Sequence, residues 1–291
     1  MNRNPVFEKE IKRNTRSIRI SWIVFGCNLL LGGIALICFF GESSVLGYMT
    51  PTSYTIPMRC YMLMAYLLFF LLLMAVPVIA GASISLEREK RTLDLLLTTH
   101  LNPWRIITGK LEASLSIIFV IAFSALPALS LIMVFGGVGL ADLLILVMIL
   151  LVSGVFIGSI GICCSVFFRK TTVATLMSYV IVLLFVVGTV GVVGLDYYLQ
   201  VLRGQGTGLI ENPDVGAAIY LFLMNPFLTF FGLLSQQIGS GRELILLCNL
   251  FGDYEGDWLV QNMIPVSVAV QLLLSVLFLV LAGKKLNPMK K

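Results

Sequence analysis

Long apolar runs, separated by shorter polar or charged segments, dominate the sequence. A helix that crosses the hydrocarbon of a bilayer, about 30 Å thick, needs roughly 20 mostly apolar residues. Runs that meet this requirement cover residues 22–40, 61–86, 113–135, 143–168, 172–195 and 263–282. The pattern therefore predicts an all-α membrane protein with six transmembrane helices in a single domain, residues 1–291.

The composition supports this prediction and excludes other classes of protein. Hydrophobic residues make up 58% of the 291 positions and charged residues 12%, which is about half the charged fraction of a soluble protein. Too few polar side chains remain to cover a water-facing surface, so a soluble globular protein, a disordered chain and a secreted disulfide scaffold are excluded. The first run follows Glu8 and Glu10 and lacks a cleavage site of small residues, which indicates a signal anchor.

The distribution of basic residues predicts the orientation of the chain. With a cytoplasmic N-terminus, the inner segments 1–21, 87–112, 169–171 and 283–291 contain 17 of the 20 lysines and arginines. Only Arg59, Arg203 and Arg242 then lie outside. Because cytoplasmic loops are enriched in basic residues, we expect both termini in the cytoplasm.

Residues 196–262 separate the fifth and sixth predicted spans and are interpreted as an extracytoplasmic loop. They contain an apolar run, 217–234, which Asn225 and Pro226 interrupt. A further membrane crossing there would move the C-terminal lysines to the outside, against the charge distribution. The run is therefore predicted to form an interfacial or re-entrant helical hairpin.

The sequence offers few side chains for catalysis, ion coupling or metal binding. Between their ends they contain essentially no ionisable side chain, so a proton-coupled mechanism lacks an obvious carrier. The chain has no G-x-x-x-x-G-K-[ST] loop for ATP phosphates, and its one histidine, His100, excludes a histidine-rich metal site. We predict no catalytic, cofactor or metal site and expect energy for transport to arrive from another subunit. Whether Cys60 and Cys248 pair as a disulfide stays open.

The charged segment after the second span has a helical pattern. Leucines at 86, 93, 96 and 97 form a narrow apolar stripe among charges, which predicts an amphipathic helix. Asn102 and Pro103 then provide the cap and the first residue of the next helix. A partner that binds this polar helix would tilt both adjoining spans; a solvated connector is the alternative. The N-terminal segment, 1–21, is predicted to form an interfacial amphipathic helix that anchors the chain or shares in docking a partner.

The fourth span contains a G-x-x-x-G motif at Gly154 and Gly158. Small residues at this spacing let two helices approach closely. Packing within one protomer and a seam between two protomers are both compatible with the motif.

The loop sequence resembles the signature of the ABC-2 type permeases, the membrane subunits of ATP-binding-cassette exporters. The matching segments are EREKRTLDLLLTT at 87–99 and ITGK at 107–110 and, more loosely, NPVF at 4–7 and SVFFRKTT at 165–172. In that family an acidic and basic cluster precedes Thr-Leu-Glu-x-Leu-Leu, and Gly-Lys follows. This chain departs from the pattern at Asp94, where Glu is common, at Arg91, where Gly is frequent, and at His100, where Pro often stands.

The resemblance implies a permease domain without enzymatic activity, in the plasma membrane of a prokaryotic cell, that forms an export pathway with a second identical or different protomer. The loop would act as a coupling helix seated in a separate ATP-binding-cassette ATPase, and that partner would bind ATP and Mg²⁺. The lipid bilayer is the other partner, and no nucleic acid is expected. The residues implied to contact the ATPase are Glu87, Glu89, Arg91, Thr92 and Asp94. The hairpin around Asn225 and Pro226 would help to close an outer gate.

Two other functions compete with this interpretation. A multi-pass assembly or anchor protein that transports nothing would also tolerate spans without charges. An ion-coupled carrier would show transport that survives ATP depletion and collapses with the ion gradient. The residues identify no substrate, and the direction of transport follows only from the resemblance.

Overall fold

The computed structural model describes residues 5–15, 18–43, 55–92, 103–134, 138–207, 215–239, 241–254 and 256–286 of the chain. Within these ranges the regular structure is helical and no β-strand occurs. The predicted all-α class is therefore confirmed.

The helices of the N-terminal part precede and follow the charged loop in the sequence. They are α1 (Pro5–Thr15), α2 (Ile18–Ser43), α3 (Thr55–Ala82), α4 (Ser85–Glu89), α5 (Pro103–Val134) and α6 (Leu140–Phe167). The helices that follow include one π-helical and one 3₁₀ segment. They are α7 (Thr171–Leu183), the π segment (Leu184–Gly188), α8 (Thr189–Thr207), the 3₁₀ helix (Gly216–Met224), α9 (Pro226–Ile238), α10 (Glu243–Asn249), α11 (Trp258–Gln261) and α12 (Met263–Leu286).

Five helical stretches of the described chain are long and apolar enough to cross a membrane. They are Pro57–Glu89, Trp104–Ser130, Leu140–Phe167, Thr171–Arg203 and Met263–Leu286, which coincide with the second to sixth predicted spans. The first predicted span, 22–40, lies within α2, whose apolar part Ser21–Ile37 is shorter. The 3₁₀ helix and α9 meet at an angle of 87° and form either a broken span or a re-entrant loop. The structure thus supports five or six spans, where the sequence predicts six.

The chain divides into two compact units. The first contains Met1–Ser178 and Ser275–Lys291. Its helices approach closely at glycines of α6: a Cβ at position 161 would lie 2.6 Å from the Cβ of Ala80 in α3. A Cβ at Gly154 or Gly158 would lie 3.1 Å from side chains of α5. The G-x-x-x-G motif therefore packs against helices of its own chain, the first of the two alternatives.

The second unit, Tyr179–Leu274, has its own hydrophobic core around the 3₁₀ helix. The rings of Phe222 and Phe251 pack edge to face with centroids 6.0 Å apart. The backbone N–H of Val215 donates to the carbonyl of Phe251 at 3.0 Å, which joins the start of the 3₁₀ helix to the segment that follows α10.

The sequence leaves open whether Cys60 and Cys248 pair as a disulfide. Cys60 and Cys248 are buried and neither forms a disulfide. Cys248 lies in α10, outside the candidate spans, and burial raises the pKa of its thiol from 9.0 to about 11. A thiol with so high a pKa is a packing residue rather than a reactive group.

Candidate functional site

The base of the charged loop, residues 84–89, is bound to several neighbouring helices, and we call it the anchor segment. The chain leaves α3 at Ala82, turns, and forms the single-turn helix α4. The first N–H groups of a helix have no partner within it. Here the N–H groups of Ile84 and Ser85 both donate to Oγ of Ser165 in α6, at 2.8 Å each. Ser165 is fully buried, so α6 fixes the start of α4.

The charged side chains of α4 extend these contacts to α6 and α7. Nη1 of Arg88 donates to the carbonyl of Val166 at 3.0 Å. The carboxylate of Glu89 accepts from the backbone N–H and the hydroxyl of Thr171, both at 2.9 Å. Thr171 begins α7, where the helix dipole favours a negative charge. Glu89 therefore caps a helix of its own chain.

Glu87 takes part in a buried cluster of charges, which we call the ion triad: Glu10, Glu87 and Lys110. Nζ of Lys110 lies 2.7 Å from Oε1 of Glu10 and 2.6 Å from Oε1 of Glu87. The side chains of Lys110 and Glu10 are only 3% and 6% exposed, and that of Glu87 is 18% exposed. A buried charge is tolerated when it is paired and hydrogen-bonded. The triad therefore connects α1, α4 and α5.

Helix α4 ends earlier than the sequence predicts. A continuous helix through residues 86–97 is expected from the leucine pattern, but α4 stops at Glu89, and residues 93–97 lie outside the described part of the chain. Arg91 has a φ of 55°, a left-handed conformation that interrupts a helix and suits glycine best. The N–H of Thr92 then donates to the carbonyl of Glu87 at 2.9 Å. The helix therefore breaks at the position where this chain has Arg and the ABC-2 pattern frequently has Gly.

The predicted ATPase contacts have different surroundings. Glu87 and Glu89 bond within the chain, whereas Arg91 and Thr92 are exposed. Asp94 lies outside the described residues. Glu10 pairs with Lys110 from 100 positions away, and the sequence does not predict this pair. The available signal was an acidic residue one helical turn after Val6, on the buried face of α1.

Asn225 and Pro226 form the corner between the 3₁₀ helix and α9. Oδ1 of Asn225 accepts from the N–H groups of Phe227 and Leu228, so Asn225 is the N-cap of α9, and Pro226 is its first residue. Nδ2 of Asn225 donates to the carbonyl of Val186 and to Oγ1 of Thr189, both at 2.9 Å. Asn225 is fully buried. It therefore ties the corner to the π segment and to α8.

The hydrogen bonds of this corner continue into α12. The hydroxyl of Thr229 donates to the carbonyl of Asn225 at 3.1 Å. It accepts from Nε2 of Gln271 at 2.8 Å. Gln271 is fully buried, and its Oε1 has no partner among the described residues. An uncharged polar network thus runs through the second unit.

Most of the chain matches one family of known proteins. A family model described as ABC-2 family transporter protein matches residues 6–282. The chain belongs to the ABC-2 family. The ABC-2 match covers the ion triad, the anchor segment and the corner at Asn225. No curated protein matches the sequence significantly.

Membership of the ABC-2 family gives the broad function. Its members are permeases of ABC transporters, which are multi-pass membrane subunits and typically non-enzymatic. Such a permease works with an ATP-binding subunit. The resemblance inferred from the loop sequence is therefore confirmed at the level of the family.

Proposed function

We propose that this chain forms the translocation pathway of an exporter and couples it to ATP hydrolysis in a separate ATPase subunit. The partner holds ATP and Mg²⁺, and a second protomer, identical or different, completes the pathway. The chain lies in the plasma membrane of a prokaryotic cell with both termini in the cytoplasm. The uneven distribution of lysine and arginine supports this orientation.

The observation that carries the coupling proposal is the set of bonds made by the anchor segment. Glu87 bonds to Lys110 of α5, Arg88 to Val166 of α6 and Glu89 to Thr171 of α7. The loop that follows therefore leaves the membrane domain from a base that several helices share. A force applied to the loop by an ATPase subunit is transmitted to these helices together rather than to one of them.

The corner at Asn225 and Pro226 is the proposed outer gate. Its backbone bends by 87°, and its N–H groups are capped by a side chain rather than left open. Capping and the bonds to Val186 and Thr189 satisfy polar groups that hydrocarbon cannot satisfy. The corner is thus suited to a position within the hydrocarbon of the membrane.

The coupling proposal is tested on a purified complex of the permease and its co-purifying ATPase in proteoliposomes. Because Glu89 caps α7, replacing it would disturb the fold as well as a docking surface. Arg91→Glu changes the charge at an exposed position next to the anchor segment. The matched control is Arg59→Glu, which makes the same change at an exposed arginine near the start of α3. We expect Arg91→Glu to abolish the stimulation of ATP hydrolysis by the permease, and Arg59→Glu to retain it.

Two results would contradict the proposal. Normal stimulation of the ATPase by Arg91→Glu, at unchanged yield of the complex, would remove the loop from the coupling pathway. Failure of any ATP-binding-cassette protein to co-purify with the chain would favour the non-transporting assembly or anchor protein instead.

A further inference from the structure

The ends of three helices in the first unit bring aromatic and basic side chains to one surface. Trp104 lies at the start of α5, Phe167 at the end of α6, and Lys284 and Lys285 in the last turn of α12. Trp104 is 41% exposed and Phe167 is 50% exposed. Both lysines are exposed as well. We call these four residues the basic aromatic patch.

Close contacts hold the patch together. A Cβ at Gly283 would lie 3.0 Å from Cζ2 of Trp104, so the indole lies directly against the backbone of α12. Nζ of Lys285 lies 5.9 Å from the centroid of the Phe167 ring, within the range of a cation–π interaction. The first contact joins α12 to α5 and the second joins it to α6.

A buried core supports the patch from below. Ile106, Val166, Ala282 and Leu286 belong to one hydrophobic cluster, and each lies within two residues of a patch residue. Well-packed side chains have little freedom to rearrange. The patch residues therefore stand on a closely packed support.

Exposed basic side chains are concentrated at these helix ends. Arg105 and Arg169, each within two residues of a patch residue, add two exposed arginines to the two lysines. Neither Lys284 nor Lys285 forms an ion pair within the part of the chain that the structure describes. The face of α12 next to the lysines exposes apolar residues, among them Leu277 and Leu281. An anionic group above an apolar chain matches this arrangement.

We propose that the basic aromatic patch binds an anionic phospholipid. The ammonium groups of Lys284 and Lys285 hold the phosphate, Trp104 lies at the level of the glycerol, and the acyl chains follow the apolar face of α12. Basic pockets between transmembrane helices bind such headgroups, and tryptophan favours the interface. The patch lies outside the anchor segment and the ion triad, and lipid binding there does not depend on an ATPase.

The test uses the isolated full-length chain, purified in detergent and titrated with phosphatidylglycerol or phosphatidylcholine under native mass spectrometry. Each lysine near an anionic lipid contributes about fivefold in affinity. We therefore expect the pair Lys284→Gln and Lys285→Gln to weaken phosphatidylglycerol binding by about 25-fold. The pair Lys284→Arg and Lys285→Arg keeps the charges and should keep the binding. The matched control, Arg59→Gln with Arg203→Gln, removes two exposed charges elsewhere and should change nothing.

Several outcomes would overturn the proposal. Equal binding of the two lipids by the unaltered chain is one, and undiminished phosphatidylglycerol binding by the glutamine pair is another. A glutamine pair that binds phosphatidylglycerol normally in the titration but no longer retains an ATP-binding subunit in a separate co-purification would make the patch a protein docking surface. Because the lipid titration contains no ATPase, its result is independent of the coupling experiment.

Discussion

Replacing Lys110 by methionine tests the ion triad directly. Methionine has a similar length and no charge, so Lys110→Met retains most of the packing of the side chain. It leaves the carboxylates of Glu10 and Glu87 without the cation that lies 2.7 Å and 2.6 Å from them. Glu10 is almost completely buried, so water cannot replace the lost partner there.

The expected loss of stability follows from this burial. Removing one partner of a buried ion pair costs about 3–5 kcal/mol, because the remaining buried charge loses its counterion. At about 2 °C per kcal/mol for a chain of this size, Tm should fall by about 6–10 °C. Lys12→Met is the control, since Lys12 pairs with Glu8 on the exposed face of α1 at 3.2 Å. An exposed pair at this spacing contributes about 0.3–0.5 kcal/mol, so Tm should change by about 1 °C or less.

The assay is thermal unfolding of the purified variants in one detergent, followed by intrinsic fluorescence. A further variant combines Lys110→Met with Glu10→Gln and Glu87→Gln, which removes every charge of the triad. Replacing a whole buried ion cluster by neutral residues is often close to neutral, so this variant should recover to within about 2 °C of the unaltered protein. A single variant as stable as the parent, or a triple variant no better than the single one, would refute the reasoning.

Two further substitutions and one labelling experiment have outcomes that follow from the surroundings of single residues. Gly161→Ala should lower Tm by about 2–6 °C in thermal unfolding, because overpacking against Ala80 costs about 1–3 kcal/mol. The control Gly191→Ala should leave Tm unchanged, because nothing lies within 4 Å of the new Cβ. Arg91→Val should speed hydrogen exchange of the Thr92 amide about 5- to 30-fold relative to Arg91→Asn, because a β-branched residue tolerates a φ of 55° poorly. Maleimide labelling of Cys248 at pH 8, read by peptide mass spectrometry, should be at least about 100-fold slower in the folded protein than in SDS. A thiol whose pKa is raised from 9.0 to about 11 has little thiolate at pH 8, so the rate of labelling should also increase with pH.

Features encoded by neighbouring residues could be predicted from the sequence. The apolar runs are long enough to identify helices, and the second to sixth predicted spans coincide with helical stretches. Asn225 and Pro226 also predict the start of a helix, since an Asn cap followed by Pro is a common sequence pattern at helix N-termini. The bend between the 3₁₀ helix and α9 follows from that pair.

Features that depend on distant residues could not be predicted. Glu10 and Lys110 are separated by 100 positions, and no local pattern pairs them. The end of α4 at Glu89 could not be predicted for another reason. Arg91 adopts a φ that its own side chain disfavours, and propensity alone favours continuing the helix. Arg91 departs from the ABC-2 pattern in the sequence, but the sequence alone does not show the backbone angle that makes this departure end the helix.

The ion triad raises the question of why a chain with only 12% charged residues buries three of them together. Val6 packs α1 against its neighbours through apolar contacts. Such contacts by themselves would still permit small rotations and translations of the helix. A lysine held between two carboxylates has a narrow range of allowed positions, so it fixes the setting of α1 and α4 on α5. If that is its role, the neutral triple variant should unfold at nearly the parent temperature and yet transmit ATP hydrolysis poorly. A triple variant that is both stable and fully coupled would show that the triad contributes only to folding.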